Sequence, residues 1–406
     1  MAGKSRIDAV RARNRAALLA ALRRGGALSR TALAAETRLS GATVSAIGAQ
    51  MLSEGLIAPA DPADPADPAA EQPARGRPQA PLRLSPARAS VVAAVVSARA
   101  VSLSLADYAG GVIARDQGPP LPRDAGAARL TDEIAARIDA LRTRSRAAPP
   151  LGALTIAVQG VTDAAARRVL WSPVLDAQGV DFAGPLSARY GAPVAVVNDC
   201  AMSAAALARR DPALGPDFAV ILVGPGVGMG LVLGGALVEG RRSSAMEFGH
   251  MTHLPGGAPC ACGRLGCVEA YAADYAILRA AGRDPSDDAD ALARDARAGE
   301  ARAQAAFAAA GAALGYGLGR LFALVGPVRV ALIGPGARAA DLIGPAMRAA
   351  LEAALAPALS APLSLTLEPD EIALALEGAA LHALQGLDAG YSAGVAARAT
   401  SRGAAE

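Results

Sequence analysis

The chain has 406 residues, of which 52% are hydrophobic and 19% are charged. This composition excludes a polar disordered chain and predicts two or three globular domains of roughly 100 to 200 residues each. No stretch approaches the roughly 20 uninterrupted apolar residues that a membrane-spanning helix needs, and the basic N-terminus lacks the apolar segment of a secretory signal. We therefore expect a cytoplasmic protein that does not associate with a membrane.

Positive charge is concentrated in the first 58 residues. They carry nine basic and three acidic side chains, a net charge of +6, whereas the whole chain carries +3 and the remainder is therefore slightly acidic. A basic head on a slightly acidic body suggests that the head binds a polyanion. Composition alone favours the alternative, which is a solvated helical face.

The basic head has the pattern of three short helices. Apolar residues at helical spacing predict a first helix over residues 7–23, which Gly25-Gly26 ends. A second helix is expected after Ser29. Ser40, an N-cap residue, opens a third helix that ends at Gly55. Three such helices joined by tight turns form a helix-turn-helix.

A Pro-rich stretch follows the three helices. Residues 61–68 repeat an Asp-Pro-Ala triplet that cannot pack a core, and residues 81–84 have the pattern of a strand. Residues 56–84 are therefore predicted to form the long hairpin, or wing, of a winged helix, with a disordered linker as the alternative. The predicted domain covers residues 1–86, with the Pro-rich wing or linker at 59–80.

From Val91 onwards, apolar strands alternate with Ala-rich helices. This alternation indicates an α/β architecture. The predicted strands are 91–96, 100–105, 154–158, 194–197, 218–223 and 328–333, and the predicted helices are centred on 130–143, 200–210, 268–280, 300–325, 338–356 and 371–385.

The most specific motif is a group of potential metal ligands: His250, Cys260, Cys262 and Cys267. Three thiolates and one imidazole complete a tetrahedral Zn²⁺ site, and a site closed by four protein ligands is structural. A redox role is the competing interpretation, but the Cys-x-Cys spacing and the glycines of the loop favour a bound ion in a reducing compartment. His253 is an alternative to His250 as the fourth ligand.

Polar residues follow one apolar strand and flank the cysteine loop. Asn198-Asp199 comes directly after the strand 194–197, where α/β proteins bind ligands, although an Asp that caps the next helix explains the pair equally well. Glu247 and Glu269 lie on either side of the loop. Together these groups suit the several hydroxyls of a sugar.

A glycine-rich segment, 224–230, follows the strand 218–223. Glycines allow close approach of the backbone to a phosphate. A simple hairpin between two strands explains the segment nearly as well.

These motifs occur in an order that resembles the ROK family of repressors, open reading frames and sugar kinases, and specifically its repressor branch. Residues 29–57 are similar to its winged helix-turn-helix, and residues 247–269 to its zinc signature, Glu-x-Gly-His followed by Cys-x-Cys-Gly-x-x-Gly-Cys-x-Glu. The resemblance implies a two-lobed, actin- and hexokinase-like fold with one structural zinc per chain. Its first lobe would be 87–199 completed by a C-terminal helix at about 371–395, and its second would be 200–370, with the zinc loop and a dimerisation surface.

The resemblance also implies roles for single residues. Asn198, Glu247 and Glu269 match ligands of sugar hydroxyls, and His250 would touch the sugar as well as the zinc. Asp199 matches the general base of the kinases, which would deprotonate the attacking hydroxyl. In a repressor the same Asp would only bind.

Two departures separate this chain from the kinases, and a third, at Val174, separates it from many relatives. Residues 95–99 read Val-Val-Ser-Ala-Arg where kinases carry Asp-x-Gly-Gly-Thr, so the acid that organises phosphates and magnesium is missing. Pro225 replaces a Thr and removes a backbone N–H. Val174 stands where many relatives have an Asn that binds the sugar. The resemblance therefore implies a protein that is not an enzyme.

The implied function is that of a sugar-responsive repressor, released from its DNA operator by a monosaccharide and acting as a homodimer or a dimer of dimers. A sugar kinase with an appended DNA-binding head is the first alternative, and an activator or constitutive DNA binder with a decayed sugar site is the second. The expected DNA contacts are Thr43, Ser45 and Gln50 in the major groove, Arg75 and Arg77 of the wing in the minor groove, and Arg11, Arg13, Arg15, Arg30 and Arg38 at phosphates.

Overall fold

The computed structural model describes residues 2–60, 80–240, 246–359 and 362–402. A small N-terminal head precedes a body built on two five-stranded sheets, which we call the first lobe and the second lobe. The mixed α/β architecture expected from the alternating pattern is confirmed.

The head contains the three expected helices. Ser40 Oγ accepts the Thr43 N–H at 3.2 Å, so the predicted cap is confirmed, and Ser29 Oγ likewise caps α2 by accepting the Ala32 N–H at 3.1 Å. Two short antiparallel strands pair the ends of the predicted wing, while residues 61–79, which include Arg75 and Arg77, lie outside the described part of the chain. The elements are α1 (Ala2–Gly25), α2 (Arg30–Thr37), α3 (Gly41–Ser53), β1 (Ile57–Pro59) and β2 (Leu82–Leu84).

The first lobe is a sheet in the order β10-β6-β3-β4-β5. Its central strand β3 (Ser90–Val96) is buried along its whole length, because the side chains alternate between two covered faces. Val92 and Ala94 pack towards α4 and α5, whereas Ala93 and Val95 pack towards α13. The other elements are β4 (Val101–Asp107), β5 (Val112–Gly118), α4 (Ala127–Arg144), β6 (Leu151–Val158), α5 (Ala183–Tyr190), β10 (Val194–Asn198) and α13 (Glu371–Arg402).

A three-stranded antiparallel sheet is inserted between β6 and α5. It carries Trp171 at the end of its middle strand. The strands are β7 (Val161–Thr162), β8 (Arg168–Trp171) and β9 (Val180–Asp181).

The second lobe is a sheet in the order β13-β12-β11-β14-β15, preceded in the chain by α6 (Asp199–Arg210). Its strands are β11 (Phe218–Val223), β12 (Val227–Leu233), β13 (Ala236–Leu237), β14 (Arg329–Ile333) and β15 (Leu365–Glu368). Its helices are α7 (Glu269–Ala272), α8 (Asp274–Ala280), α9 (Ala289–Arg297), α10 (Ala301–Val325), α11 (Pro335–Arg338) and α12 (Ala340–Ala354).

Helix α10 is long and apolar enough to cross a membrane by length and composition, but 56% of its most apolar stretch is buried within the lobe. Gly311, Gly315 and Gly319 recur every fourth residue along it. A Cβ at these positions would lie 2.2 to 2.5 Å from atoms of α12, so the two helices are packed backbone to backbone. These contacts identify α10 as a core helix of the second lobe.

Several predicted elements are wrong in extent or number. The single helices expected near 268–280 and 338–356 are each two helices. The first of these breaks occurs because Ala273 has extended backbone angles and Asp274 N donates to Gly224 O. The last helix continues to Arg402 instead of ending at 385 or 395. Strand β5 was not predicted because its side chains are mostly exposed, and α9 was not predicted because it buries few of its residues.

Candidate ligand pocket and metal centre

A pocket lined by residues of both lobes opens between them. All five residues predicted to bind a sugar line it, namely Asn198, Asp199, Glu247, His250 and Glu269. The remaining lining residues are Gln159, Gly160, Trp171, Pro173, Cys200, Leu222, Gly226, Val227, Gly228, Met229 and Met246.

The Asn198-Asp199 pair joins β10 to α6. Asn198, not Asp199, caps the helix: its Oδ1 accepts the Ala201 N–H and its Nδ2 donates to Gly160 O, both at 2.9 Å. Asp199 is the first helical residue and accepts the Cys200 N–H at 2.9 Å. Burial raises the pKa of Asp199 to about 6, against the lowering effect of the Cys200 amide. This carboxyl therefore titrates close to neutral pH.

Glu247 and His250 come from a short 3-10 helix, Phe248–His250, that is pressed against β12. A Cβ on Gly249 would lie 2.0 Å from Val227 O, which fixes this segment in place. His250 Nε2 lies 3.7 Å from Glu247 Oε2. Burial raises the pKa of Glu247, and the nearby His250 opposes this shift. The edge of the imidazole also meets the Trp171 ring, with 5.8 Å between centroids.

The other nitrogen of His250 belongs to a possible metal centre. The ligand atoms of His250, Cys260, Cys262 and Cys267 all lie within 4.8 Å of one another, so these four residues could hold a metal ion. Cys260 Sγ is 3.7 Å from His250 Nδ1, and Cys262 Sγ is 3.8 Å from Cys267 Sγ. Zinc–thiolate bonds of about 2.3 Å give tetrahedral edges of roughly 3.8 Å, so the spacing fits zinc. His253 is not part of this group and packs on Tyr271 and Tyr316.

Glycines shape the loop that carries the cysteines. Gly256, Gly263 and Gly266 have φ values of 69°, 84° and 78°, in the left-handed region that favours glycine. A Cβ on Gly266 would come within 1.7 Å of Leu254 O. Replacing Gly266 would therefore require the loop to open.

Glu269 connects the pocket to the cysteine loop. Its Oε2 accepts the Val227 N–H at 3.1 Å, and its Oε1 lies 3.5 Å from Cys260 Sγ. The side chain is only 8% exposed. The same carboxylate thus holds the start of β12 and faces the metal ligands.

Of the first-lobe residues that line the pocket, sequence reasoning located Asn198 and missed the others. Gln159-Gly160 follows β6 at the same sheet edge as Asn198, so the strand-end rule that located Asn198 could also have located this pair. Trp171 and Pro173 line the pocket from the inserted sheet. Val174, next in the chain, packs against the apolar core of the first lobe instead.

A second interlobe region contains the turn after β3, which the family resemblance aligns with the first phosphate motif of the kinases. The strand β3 ends at Val96, and Ser97–Arg99 forms a tight turn in which Ser97 N donates to Ala100 O. Arg99 reaches across to the second lobe and pairs with Asp274 at 3.2 Å. Burial raises the pKa of Asp274 to about 6, and Arg99 opposes this.

The glycine-rich segment forms the hairpin between β11 and β12, which was the alternative interpretation. Gly224 N donates to Gly226 O across Pro225. Gly228 and Gly230 lie within β12, and a Cβ on Gly230 would be 2.3 Å from Cys200 O. These two glycines are therefore needed for packing against α6.

In the head, Ser45 and Gln50 are exposed on α3 and Thr43 is half-buried. Gln50 Nε2 donates to Glu54 at 3.0 Å. Arg11, Arg13 and Arg38 are exposed, and Arg30 is half-buried. The expectation for Arg15 is wrong: it is only 2% exposed and pairs with Glu54, because the helical face that carries it packs inside the head.

Comparisons with known proteins place this architecture in one family. The model of the ROK family matches residues 98–385. Over 141 residues the chain is 36% identical to kanosamine kinase from Amycolatopsis mediterranei, covering 34% of this chain and 46% of that protein. It is 28% identical over 181 residues to glucokinase from Streptomyces coelicolor (44% and 55%), and 34% identical over 141 residues to a putative xylose repressor from Caldicellulosiruptor (33% and 35%). The chain thus spans about half or less of the length of these curated relatives.

Solved structures extend the likeness of fold to 95% of the chain. A ROK family transcriptional regulator, described as a homolog of the E. coli MLC protein, has a TM-score of 0.77 at 22% identity and covers 95% of this chain and 99% of its own. The ROK hexokinase from Thermus thermophilus has a TM-score of 0.60 at 26% identity and covers 73% and 99%. Because the family model matches more than half of the chain, the protein belongs to the ROK family.

Proposed function

We propose that the chain is a sugar-responsive, DNA-binding transcriptional regulator, and specifically a cytoplasmic repressor that a monosaccharide or sugar derivative releases from its operator. One observation carries the proposal. Five polar groups suited to sugar hydroxyls share one pocket, whereas the turn that replaces the kinases' phosphate motif makes an ion pair between the lobes. The chain keeps groups that would bind a sugar, whereas the acid expected at Val95 and the Thr expected at Pro225 for holding a phosphate are replaced.

The pocket suits a polyhydroxylated ligand. Carboxylates accept hydrogen bonds from hydroxyls, and Glu247 and Asp199 offer them beside Asn198, which lies at the end of β10 in the first lobe. A ligand held by both lobes favours their closed arrangement, since it binds that state more tightly. Trp171 supplies an apolar wall next to His250.

We assign zinc to the cysteine loop. His250 Nδ1 faces the thiols, and Nε2 faces Glu247 and the pocket, so a metal on Nδ1 would leave an Nε2–H to donate to the ligand. Bound zinc would act as a structural ion held by four protein ligands. The loop would thereby fix His250 and Glu269 in the orientation that the ligand requires.

Phosphoryl transfer is not part of the proposal. Ser97–Arg99 forms a closed turn without a carboxylate, and Pro225 offers no N–H at the second loop. A sugar kinase with an appended head is the second candidate, because Asp199 lies in the pocket with a pKa raised to about 6, as a general base requires. In a regulator, Asp199 binds the ligand without accepting its proton.

The head supplies the proposed DNA contacts as a winged helix-turn-helix, with residues 1–86 as its domain and residues 87–199 and 200–370 as the two lobes. We place α3 in the major groove, with Thr43, Ser45 and Gln50 near bases. A homodimer or dimer of dimers would present two heads to a two-fold operator. Arg30 and Arg38 would contact phosphates, and Arg75 and Arg77 a minor groove.

Calorimetry tests the proposal directly. Metal-loaded protein is titrated with monosaccharides, their amino and phosphorylated forms, and ATP with Mg²⁺, and operator affinity is then measured at fixed salt with and without the sugar that binds. We expect one sugar to bind, ATP not to bind, and the sugar to weaken operator binding.

Glu247→Gln should lower sugar affinity by about tenfold or more, because it removes a charged acceptor, whereas the exposed Glu352→Gln on α12 should not. ATP binding with phosphate transfer would make the kinase the correct assignment.

A further inference from the structure

Helix α1 of the head is bonded to the C-terminal helix α13 by a buried ionic cluster. Arg23 Nε and Nη2 donate to the two carboxylate oxygens of Asp388 at 2.7 and 2.9 Å. The Tyr108 hydroxyl donates to the same carboxylate at 2.5 Å, and Arg23 donates to Tyr108 O at 3.0 Å. Arg23 is 5% exposed and Asp388 is 8% exposed. Three chain segments, the head, β4–β5 and α13, therefore meet at one point.

This cluster restricts the orientation of the head. Two parallel hydrogen bonds between a guanidinium and a carboxylate define an angle as well as a distance. Buried charges are costly to separate, because each would be left without a partner out of water. Around the cluster, Leu19 and Leu22 of α1 share an apolar core with Leu384 and Leu387 of α13. The head and α13 are thus joined by buried ionic contacts and by apolar contacts.

The same helix is also in direct contact with the pocket helix. Helix α6 begins at Asp199 in the pocket and passes against α13 at Gly378, where a Cβ would lie only 1.9 Å from Met202 O. Ala201 and Ala375 lie in the same buried cluster. Helices α6 and α13 are therefore packed backbone to backbone at this point.

We propose that α13 transmits the ligand state of the pocket to the head, and that Arg23, Asp388 and Tyr108 are the positioning residues that join them. This inference rests on the proposed function as a sugar-responsive regulator. Ligand at the start of α6 changes the arrangement of α6 and α13, and the ionic cluster carries that change into the angle of α1. Sugar binding and operator binding are coupled because each ligand favours a different arrangement of α6, α13 and the head.

The first test removes the cluster without leaving an unpaired charge. The double variant Arg23→Met, Asp388→Leu should keep sugar affinity within about twofold, because both residues are remote from the pocket. The ratio of operator affinities without and with sugar should fall from the 5- to 150-fold range typical of allosteric coupling to below about twofold. Backbone hydrogen exchange in α1 should accelerate, which is measured without sugar or DNA.

A matched control removes a neighbouring pair. Arg24 and Glu36 form an exposed ion pair within the head at 2.8 Å. Arg24→Met, Glu36→Leu should leave both the coupling ratio and the exchange of α1 unchanged, since exposed pairs contribute little. Tyr108→Phe, which removes one hydroxyl, should reduce the coupling ratio by less than the double variant does.

The second test acts at the other contact of α13. Gly378→Ala places a methyl group against the Met202 backbone and should reduce the coupling ratio, while Gly386→Ala on the same helix meets open space and should not. Coupling that persists in both the double variant and Gly378→Ala would overturn the inference. A wild-type protein whose operator binding does not respond to any sugar would instead refute the proposed function.

Discussion

The two polar regions between the lobes differ in what their charges do. In the pocket, Asp199 and Glu247 have no arginine among the lining residues, and burial raises the pKa of both carboxyls. Around the turn that replaces the phosphate motif, Arg99 pairs with Asp274, and Arg338 pairs with Asp290 at 3.0 Å. The first region holds acceptors ready for a ligand, and the second satisfies its own charges.

Under the proposed function, this difference would allow the ROK fold to bind a sugar without transferring a phosphate to it. Phosphate transfer needs cationic or backbone donors aimed at the phosphate oxygens, and here Arg99 is directed to a carboxylate instead. Sugar recognition needs only acceptors and donors in a partly dry cleft. Phosphate transfer and sugar recognition can be separated, because they depend on different segments of the chain.

Loss of the metal site should have the largest effect. Cys260→Ser removes a thiolate ligand, so we expect the metal content to fall from about one ion per chain to near zero and sugar affinity to fall by about 100-fold or more, since His250 and Glu269 lose their common support. Metal analysis and calorimetry measure both. Cys200→Ser, at a buried cysteine outside the metal group, should keep the metal. A full metal content in Cys260→Ser would contradict the assignment of ligands.

Features with a local cause could be predicted from the sequence. Ser29 and Ser40 cap helices through atoms three residues away, and the four residues that could hold a metal ion lie within 18 residues of one another. The position of Asn198 follows from the general rule about strand ends. Each of these signals is contained in a short stretch of chain.

Features that depend on distant partners could not be predicted. Arg99 is 175 residues from Asp274, and Arg23 is 365 residues from Asp388. Arg15 looked like any other arginine of a basic helix until packing placed it beside Glu54. Whether a charge binds DNA, bridges lobes or joins domains is decided by tertiary contacts, and no spacing in the sequence records it.

Asp199 should produce the next largest effect. Its carboxyl keeps a proton up to a pH of about 6 when folded but ionises around its ordinary pKa of 3.8 when unfolded, so folding stability without ligand should fall as pH rises between these values. Asp199→Asn should therefore raise the free energy of unfolding at pH 7.5 by roughly 1 to 3 kcal/mol, and the gain should shrink towards pH 5. Denaturant unfolding measures it.

The control for this prediction is Asp176→Asn, which removes an exposed carboxylate that pairs with Arg123. It should change the free energy of unfolding by less than about 1 kcal/mol at either pH. A gain for Asp199→Asn that is the same at pH 5 and pH 7.5 would show that burial does not perturb this carboxyl.

The ion pair between the lobes should give the smallest effect. The Arg99 side chain is 58% exposed, so its pair with Asp274 contributes at most about 1 kcal/mol, and Arg99→Ala should change sugar affinity by no more than about fivefold. The direction is informative. If the pair holds the lobes in the arrangement that binds sugar, sugar affinity falls in Arg99→Ala and recovers in the charge exchange Arg99→Asp, Asp274→Arg.

The control is the exposed pair Arg144–Asp116, which lies within the first lobe. Arg144→Ala should leave sugar affinity unchanged. ATP binding that appears in Arg99→Ala would mean that this pair alone, and not the missing acid at Val95, prevents nucleotide binding.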